Sequence, residues 1–433
     1  MLVLDGSHLT LDALMRVAVE GDTVEVAPTA LSRVDAARAV VDRAANVDTP
    51  TYGVNTGFGY LADVRVPHAD LAQLQINLLR SHAAGVGEPL SIPAVRAMMT
   101  LRANVLAKGY SGVRRSTVEH LVALLNRRVH PVVPSRGSVG ASGDLAPLAH
   151  LALVLIGEGL VLAPSEVDAH APVRAASMAG LDALHAVGLE PIRLEPKEGL
   201  ALINGTQAST AILALATAAA RNLTRTADVA AALSIDTLKG SLHPFDARIH
   251  DARPFPGQRA SAANLSRLLA GSAINRSHAA CGRVQDAYSL RCAPQVHGAV
   301  RDAVLFAIRT VEIEANAATD NPMVFAEADE IVSGGNFHGA PIALAADILA
   351  VAITHLATIS ERRIERLTNP DLSGLPGFLT EHGGLCSGLM MVQVTAAALT
   401  SELKSLAHPA SVDTIPTSAN REDHVSMSMS AAL

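Results

Sequence analysis

The run GSVGASGDLAPLAH, Gly137 to His150, holds at its centre three consecutive small residues, Ala141, Ser142 and Gly143, whose own backbone can become an electrophile. If the Gly143 nitrogen attacks the Ala141 carbonyl carbon and two waters leave, one of them from the Ser142 hydroxyl, the product is a methylidene-imidazolone ring (MIO) with an electron-poor exocyclic CH2. Alanine and glycine are small enough to let the chain fold onto itself, and glycine reaches backbone conformations closed to other residues. Ser142 supplies the atoms of the methylidene, and Asp144 could assist proton transfers. The same run also reads as a Gly/Ser loop and helix N-cap ahead of an apolar stretch. It has no Gly-Lys-Ser/Thr end of a phosphate loop, no Gly-x-Gly-x-x-Gly and no Gly-x-Ser-x-Gly elbow.

Working outward, the chain has 433 residues, enough for a large core and, by length, two or three domains. Apolar residues make up 49% but aromatics only 3%, with no Trp, so the apolar content is mostly Ala, Leu and Val and permits close helix approach. Helical patterns recur at Leu71–Leu79, Val95–Leu106, Val118–Leu125, Ala208–Leu233, Val296–Ala318, Ala340–Leu367 and Ser387–Ala407. Pro341 opens its run, where a helix tolerates it, and no other proline interrupts these segments. A mainly α fold is expected. Strand candidates are short, Leu2–Leu4 and Thr23–Val26, and suit a small N-terminal sheet. No flexible linker or internal repeat is evident.

A net charge of −7 offers no electrostatic footprint for nucleic acid or an anionic membrane. Cys281, Cys292 and Cys386 are too few and too scattered for a disulfide framework or a Cys-x-x-Cys site, and read as reduced thiols. The N-terminus lacks a basic region followed by an apolar signal segment, so a cytoplasmic protein is expected. Ile342–Ile359 is apolar enough to suggest a membrane span, but Asp347 and His355 interrupt it, and a buried core helix is the better reading. No His-Glu-x-x-His is present, and Glu422-Asp423-His424 suits a cap or ion pair as readily as a cation site, so no metal is expected. Helices apolar on more than one side need a cover, which a homo-oligomeric bundle provides.

The run Gly137–His150 resembles the signature of the histidine and aromatic amino acid ammonia-lyase family. The similarity extends through TYGVNTGFG (Thr51–Gly59), SHAAGVGEPL (Ser81–Leu90), KEGLALINGTQAST (Lys197–Thr210), PFDARIH (Pro244–His250), VQDAYSLRCAPQV (Val284–Val296), DNPMVF (Asp320–Phe325), SGGNFH (Ser333–His338) and PTSANREDHVSM (Pro416–Met427). The blocks keep their order over almost the whole chain and are most similar to the histidine branch. The resemblance implies a homotetrameric bundle of long helices, with each pocket assembled from several subunits. It implies an N-terminal region, 1–200, bearing the MIO tripeptide and small β elements, and a long-helix region, 201–433. Family members usually run for tens of residues beyond the last block, so a C-terminally shortened bundle is expected.

The resemblance also assigns roles. Tyr52 is the base that takes the β-proton; lowering a phenol from about 10 to about 7 takes some 4 kcal/mol, to which helix N-termini aimed at the site could contribute. Tyr288 relays a proton or orients the amine, Arg291 grips the substrate carboxylate in two parallel hydrogen bonds, and Gln285 orients the carboxylate or a tyrosine. Ala287 stands where a Pro is common in the family. Asn204 hydrogen-bonds the ring carbonyl of the electrophile or the substrate, or else caps the helix that follows. Phe337 walls the cavity or is plain core. His82 and Glu422 suit an imidazole, which offers one donor and one acceptor when neutral. Ser81-His82 and Glu422 point to L-histidine, with trans-urocanate and ammonia as products and no metal or diffusible cofactor. A phenylalanine or tyrosine ammonia-lyase, an aminomutase of the same family, and a non-catalytic assembly paralogue are the alternatives.

Overall fold

The computed structural model describes residues 1–47, 49–162, 177–278 and 281–433. The chain is 59% helical, in agreement with the expected mainly α class. Each helix foreseen from periodicity is present, mostly with an added turn: Leu71–His82, Ile92–Ala107, Arg115–Asn126, Gln207–Thr237, Ala293–Ala315, Ala340–Thr368 and Met390–Leu406. Pro28–Ala45 and Pro256–Leu269 are further helices, not evident from apolar periodicity. Both open on a proline whose missing N–H costs nothing at a helix start.

Leu2–Leu4 and Val24–Val26 pair in parallel, Leu2 opposite Val24, as the small N-terminal sheet required. Three more two-stranded pairs were not foreseen: Val86–Pro89 with Pro134–Arg136, Leu160–Leu162 with Ser177–Ala179, and Met323–Phe325 with Glu330–Val332. Strands of three or four residues are too short to show a period of two, and the prolines facing each other at one end of the first pair, Pro89 and Pro134, mask it further.

Contacts divide the chain into two compact units that interleave along the sequence. The first comprises Met1–Ala216, Arg309–Ala346 and Ala410–Leu433; the second comprises Thr217–Ile308 and Asp347–Pro409. Three long helices, Gln207–Thr237, Ala293–Ala315 and Ala340–Thr368, each begin in one unit and end in the other.

The centre of the first unit is the helix Ile92–Ala107, buried from Ala94 to its end and capped by Ser91, whose Oγ accepts from Ala94 N. Its polar residues are buried too, and three of them tie in neighbouring segments. Arg96 donates to Val17 O and Leu125 O, Arg102 to Ala201 O and Asn204 O, and Asn104 Oδ1 accepts from Gly6 N. Burial brings Arg102 down to about 10, opposed by Asp320 and Asp144. The second unit has a core of Ala231, Ala232, Ile235, Leu238, Phe245, Leu265, Leu269, Leu290 and Ala293. One helix among the described residues, Ala340–Thr368, is long and apolar enough to cross a membrane, and half of its most apolar window is buried inside the protein.

Candidate active site

The tripeptide lies in a bend between Pro134–Arg136 and the helix Leu145–Leu155. Gly143 has φ +73°, and a Cβ there would lie 2.2 Å from Gly205 O. The two glycine segments meet backbone to backbone as a bridge, reinforced by donation from Asp144 N to Gly205 O at 2.7 Å. Only glycine can occupy this position. Ala141 is buried with Val425 and Met427, and Ser426 Oγ donates to Gly140 O at 2.8 Å, so the late block Pro416–Met427 cradles the bend. The residues therefore fit the implied heterocycle: Gly140 and Gly143 hold the backbone in left-handed conformations on either side of Ala141 and Ser142.

Ser142 Oγ donates to Glu422 Oε1 at 2.9 Å, across 280 positions of sequence. Glu422 is itself fixed by Thr417, whose Oγ1 donates to Oε2 at 2.5 Å and whose backbone pairs with that of residue 422. The turn between them, Ser418–Asn420, sits against the Tyr52 loop: a Cβ on Gly59 would meet Ser418 Oγ at 2.5 Å, and the Arg421 guanidinium lies 5.7 Å from the Tyr60 ring centre. The loop carrying Tyr52 is held by Asn55, whose Oδ1 accepts from Thr51 N at 2.7 Å and whose Nδ2 donates to Thr49 O at 3.0 Å. Tyr52 packs edge-on against Phe58.

Glu422 acts electrostatically on both Tyr52 and His82. Burial, the largest influence, pushes the Tyr52 phenol up; Glu422 adds to this, and a hydrogen bond from the Gly59 backbone opposes it. The expected lowering of this phenol is therefore absent in the single chain, because desolvation outweighs the one backbone donor. Burial also pushes His82 down, so its imidazole is neutral. Its Nδ1 lies 2.9 Å from Leu78 O, an acceptor, so Nδ1 carries the proton and Nε2 is left as an acceptor.

Asp144 is at the N-cap position of Leu145–Leu155 but does not cap it. Its carboxylate accepts instead from Ser209 N (2.7 Å), Ser209 Oγ (2.8 Å) and Ser138 Oγ (2.9 Å). The cap reading of the run is thus corrected: the carboxylate serves the first turn of a different helix, Gln207–Thr237, whose orphan N–H groups and positive dipole end attract it. Burial raises this carboxyl, and the bonds from Ser209 and Ser138 counteract. The N-cap alternative for Asn204 is corrected as well. Asn204 ends the short helix Glu198–Ile203, and its Nδ2 donates to Asn321 O at 2.9 Å and reaches Asp320 Oδ1 at 3.4 Å. Phe337 is half-buried in a turn anchored by donation from Gly339 N to Gly140 O.

Tyr52, His82, Ala141, Ser142, Gly143, Asn204, Phe337 and Glu422 all belong to the first unit, and Gln285, Tyr288 and Arg291 to the second. In the second unit Tyr288 opens a single helical turn, Tyr288–Arg291, with Ala287 at the N-cap. Its ring is exposed, and the Arg291 guanidinium stacks 4.7 Å from it. Gln285 and Arg291 line a cavity of about 740 Å³ together with Arg283, Asp286 and Gln295. Sequence reading passed over Thr417, Lys197 and Asp320, although all three lie in the quoted blocks; a lone Lys or Thr carries no signal of its own.

The bend of Ala141-Ser142-Gly143, closed on Gly205 and with its serine bonded to Glu422, lies in the stretch that marks the class of the chain. The sequence pattern of the aromatic amino acid lyase family matches residues 9–433; the chain belongs to that family and is a carbon–nitrogen lyase. It is 56% identical over 432 residues to histidine ammonia-lyase of Myxococcus xanthus, covering 100% of this chain and 83% of that protein. With histidine ammonia-lyase of Anaeromyxobacter sp. the identity is 58% over 434 residues, covering 100% and 85%. The crystal structure of histidine ammonia-lyase from Trypanosoma cruzi superposes with a TM-score of 0.89 at 45% identity, covering 100% of this chain and 79% of that one. Tyrosine aminomutase from Streptomyces globisporus gives 0.92 at 39% identity, covering 100% and 83%.

Proposed function

We propose that this chain deaminates L-histidine without oxidation, releasing trans-urocanate and ammonia, and that Ala141-Ser142-Gly143 condenses to the MIO ring. The observation that carries the reading is the hydrogen bond from the Ser142 hydroxyl to Glu422 within the bend that Gly143 closes on Gly205. When formed, the ring supplies an electron-poor carbon that makes the amine a leaving group. His82 Nε2 accepts the imidazole N–H of the substrate, and Glu422 faces the same side chain. In the homotetramer a neighbouring subunit supplies Arg291 to hold the substrate carboxylate, Gln285 to orient it and Tyr288 to steer the amine. Phe337 walls the pocket and Tyr52 takes the β-proton.

A homotetramer accounts for the apolar surface that one chain leaves open. No residue of the helix Met390–Leu406 is buried, and Met391, Val392, Leu399 and Leu406 are all exposed. The three cysteines are unpaired, in keeping with a reducing, cytoplasmic setting.

Two measurements test the reading together. The intact mass of the purified protein should fall short of the calculated chain mass by two waters. L-Histidine should yield urocanate and ammonia in equal amounts. A β-amino acid among the products would instead favour an aminomutase, turnover of phenylalanine or tyrosine alone would favour those lyases, and neither mass loss nor turnover would favour an assembly role.

The raised Tyr52 phenol sets the pH dependence. A base acts only when deprotonated, so raising its pKa moves the rising limb of kcat/KM to higher pH. A profile that climbs above neutrality is expected, and Tyr52→Phe should remove that limb. A limb at acidic pH in the wild type would refute Tyr52 as the group that titrates.

A further inference from the structure

Beside the Gly143–Gly205 contact lies a fully buried ion pair to which no role has been given. Lys197 and Asp320 are each 0% exposed, and Lys197 Nζ sits 3.0 Å from Asp320 Oδ2. Lys197 holds this place with φ +71°, a left-handed conformation that costs a non-glycine residue energy. A buried ion pair of this kind is often no more stabilising than apolar side chains of the same size. Its other oxygen shows what the pair accomplishes. Asp320 Oδ1 accepts from Asn321 N at 2.7 Å and faces Asn204 Nδ2 at 3.4 Å, while Asn204 Nδ2 also donates to Asn321 O at 2.9 Å. The main chain of Asn204 is clamped as well, by donation from Arg102 Nη2 to its carbonyl at 2.9 Å.

These contacts dictate which way the Asn204 amide points. Flipping it would set its oxygen against two acceptors, Asp320 Oδ1 and Asn321 O, and lose both bonds. The atom left over is therefore Oδ1, which is buried and has no partner. An unpaired buried acceptor requires a donor. A ring carbonyl cannot supply one, but the α-amine of an amino acid can.

We propose that Lys197 and Asp320 are positioning residues that hold the Asn204 amide with Oδ1 presented as an acceptor to the substrate amine. This rests on the ammonia-lyase reading above and makes the alternative bond from Asn204 to the ring carbonyl unnecessary. Lys197 fixes the Asp320 carboxylate, Asp320 fixes the Asn204 amide, and Asn204 touches the substrate.

The test compares two ligands, L-histidine and the same acid without its amine, 3-(imidazol-4-yl)propanoate. Asp320→Asn is nearly isosteric, but the Lys197 ammonium draws the new amide oxygen to itself and turns an NH2 toward Asn204. The Asn204 amide then inverts and offers a donor to the substrate amine. The expected result is a KM for L-histidine raised at least about tenfold, with calorimetric binding of the amine-free acid unchanged and the two-water mass loss intact. If that variant folds poorly, Lys197→Met/Asp320→Leu removes the clamp without leaving a buried charge, and the same split between ligands is expected. Either folded variant that keeps the wild-type KM, or that loses both ligands in parallel, overturns the proposal. A wild-type protein that neither deaminates nor binds histidine overturns the underlying reading instead, before any variant is made.

Discussion

Ser142→Ala should lower turnover at least about a thousandfold, equivalent to roughly 4 kcal/mol of barrier, while the protein still folds. The hydroxyl is the source of the methylidene carbon's unsaturation, so without it the second dehydration has no leaving group. Intact mass reports this directly: the variant should fail to show the loss of two waters that the wild type shows. Its folded-state cost is small, because the side chain is only half-buried and, among the described residues, its hydroxyl bonds to Glu422. Thermal unfolding close to the wild type, together with abolished urocanate formation, is the expected pairing. Wild-type turnover in this variant would defeat the electrophile.

Gly143→Ala should be damaging for a second and independent reason. The left-handed backbone at φ +73° costs an alanine about 1–2 kcal/mol. The added methyl would lie 2.2 Å from Gly205 O and 2.4 Å from Gly205 C, and displacing packed backbone costs about 1–3 kcal/mol more. A loss of about 2–5 kcal/mol in stability is expected from these two contributions. Movement of the 143 backbone also takes its nitrogen away from the Ala141 carbonyl, so ring closure should fail along with stability. The check is a lowered unfolding midpoint accompanied by an unmodified chain mass. A variant with normal stability and full dehydration would show that the close contact with Gly205 is not what bends the tripeptide.

How much of this was readable beforehand differs by kind of residue. The helices Ile92–Ala107 and Ala340–Thr368 were legible because Ala, Leu and Val recur at helical spacing over several turns. Pro28–Ala45 was not noticed, since its buried face is built on small residues, Ala30, Val34, Ala37, Val40 and Val41, amid charged neighbours. At the site, Ser142 and Gly143 were legible from the chemistry their residue types permit. The placement of Asp144 was not. Its position before Leu145 reads as a local cap, yet its carboxylate bonds to Ser209, 65 residues away. Tyr52 shows the same limit in electrostatics: a phenol intended as a base invites the expectation of a lowered pKa, but burial and the nearby Glu422 push it up. Lys197 is the extreme case, because a lone lysine suggests surface, and only the fold reveals it at 0% exposure opposite Asp320.

Periodicity along the chain determined the helical class, and residue chemistry marked Ala141-Ser142-Gly143 as a candidate for ring closure, because both are local properties carried by each short segment; the other candidate residues came from the resemblance of the sequence blocks to a known family. Tertiary structure alone decided that Glu422 meets Ser142, that Asp144 serves the helix starting at Gln207, and that Asn204 leaves its oxygen free. The physical reason is that hydrogen bonds and desolvation depend on which distant groups are brought within about 3 Å, and no spacing along the sequence encodes that distance.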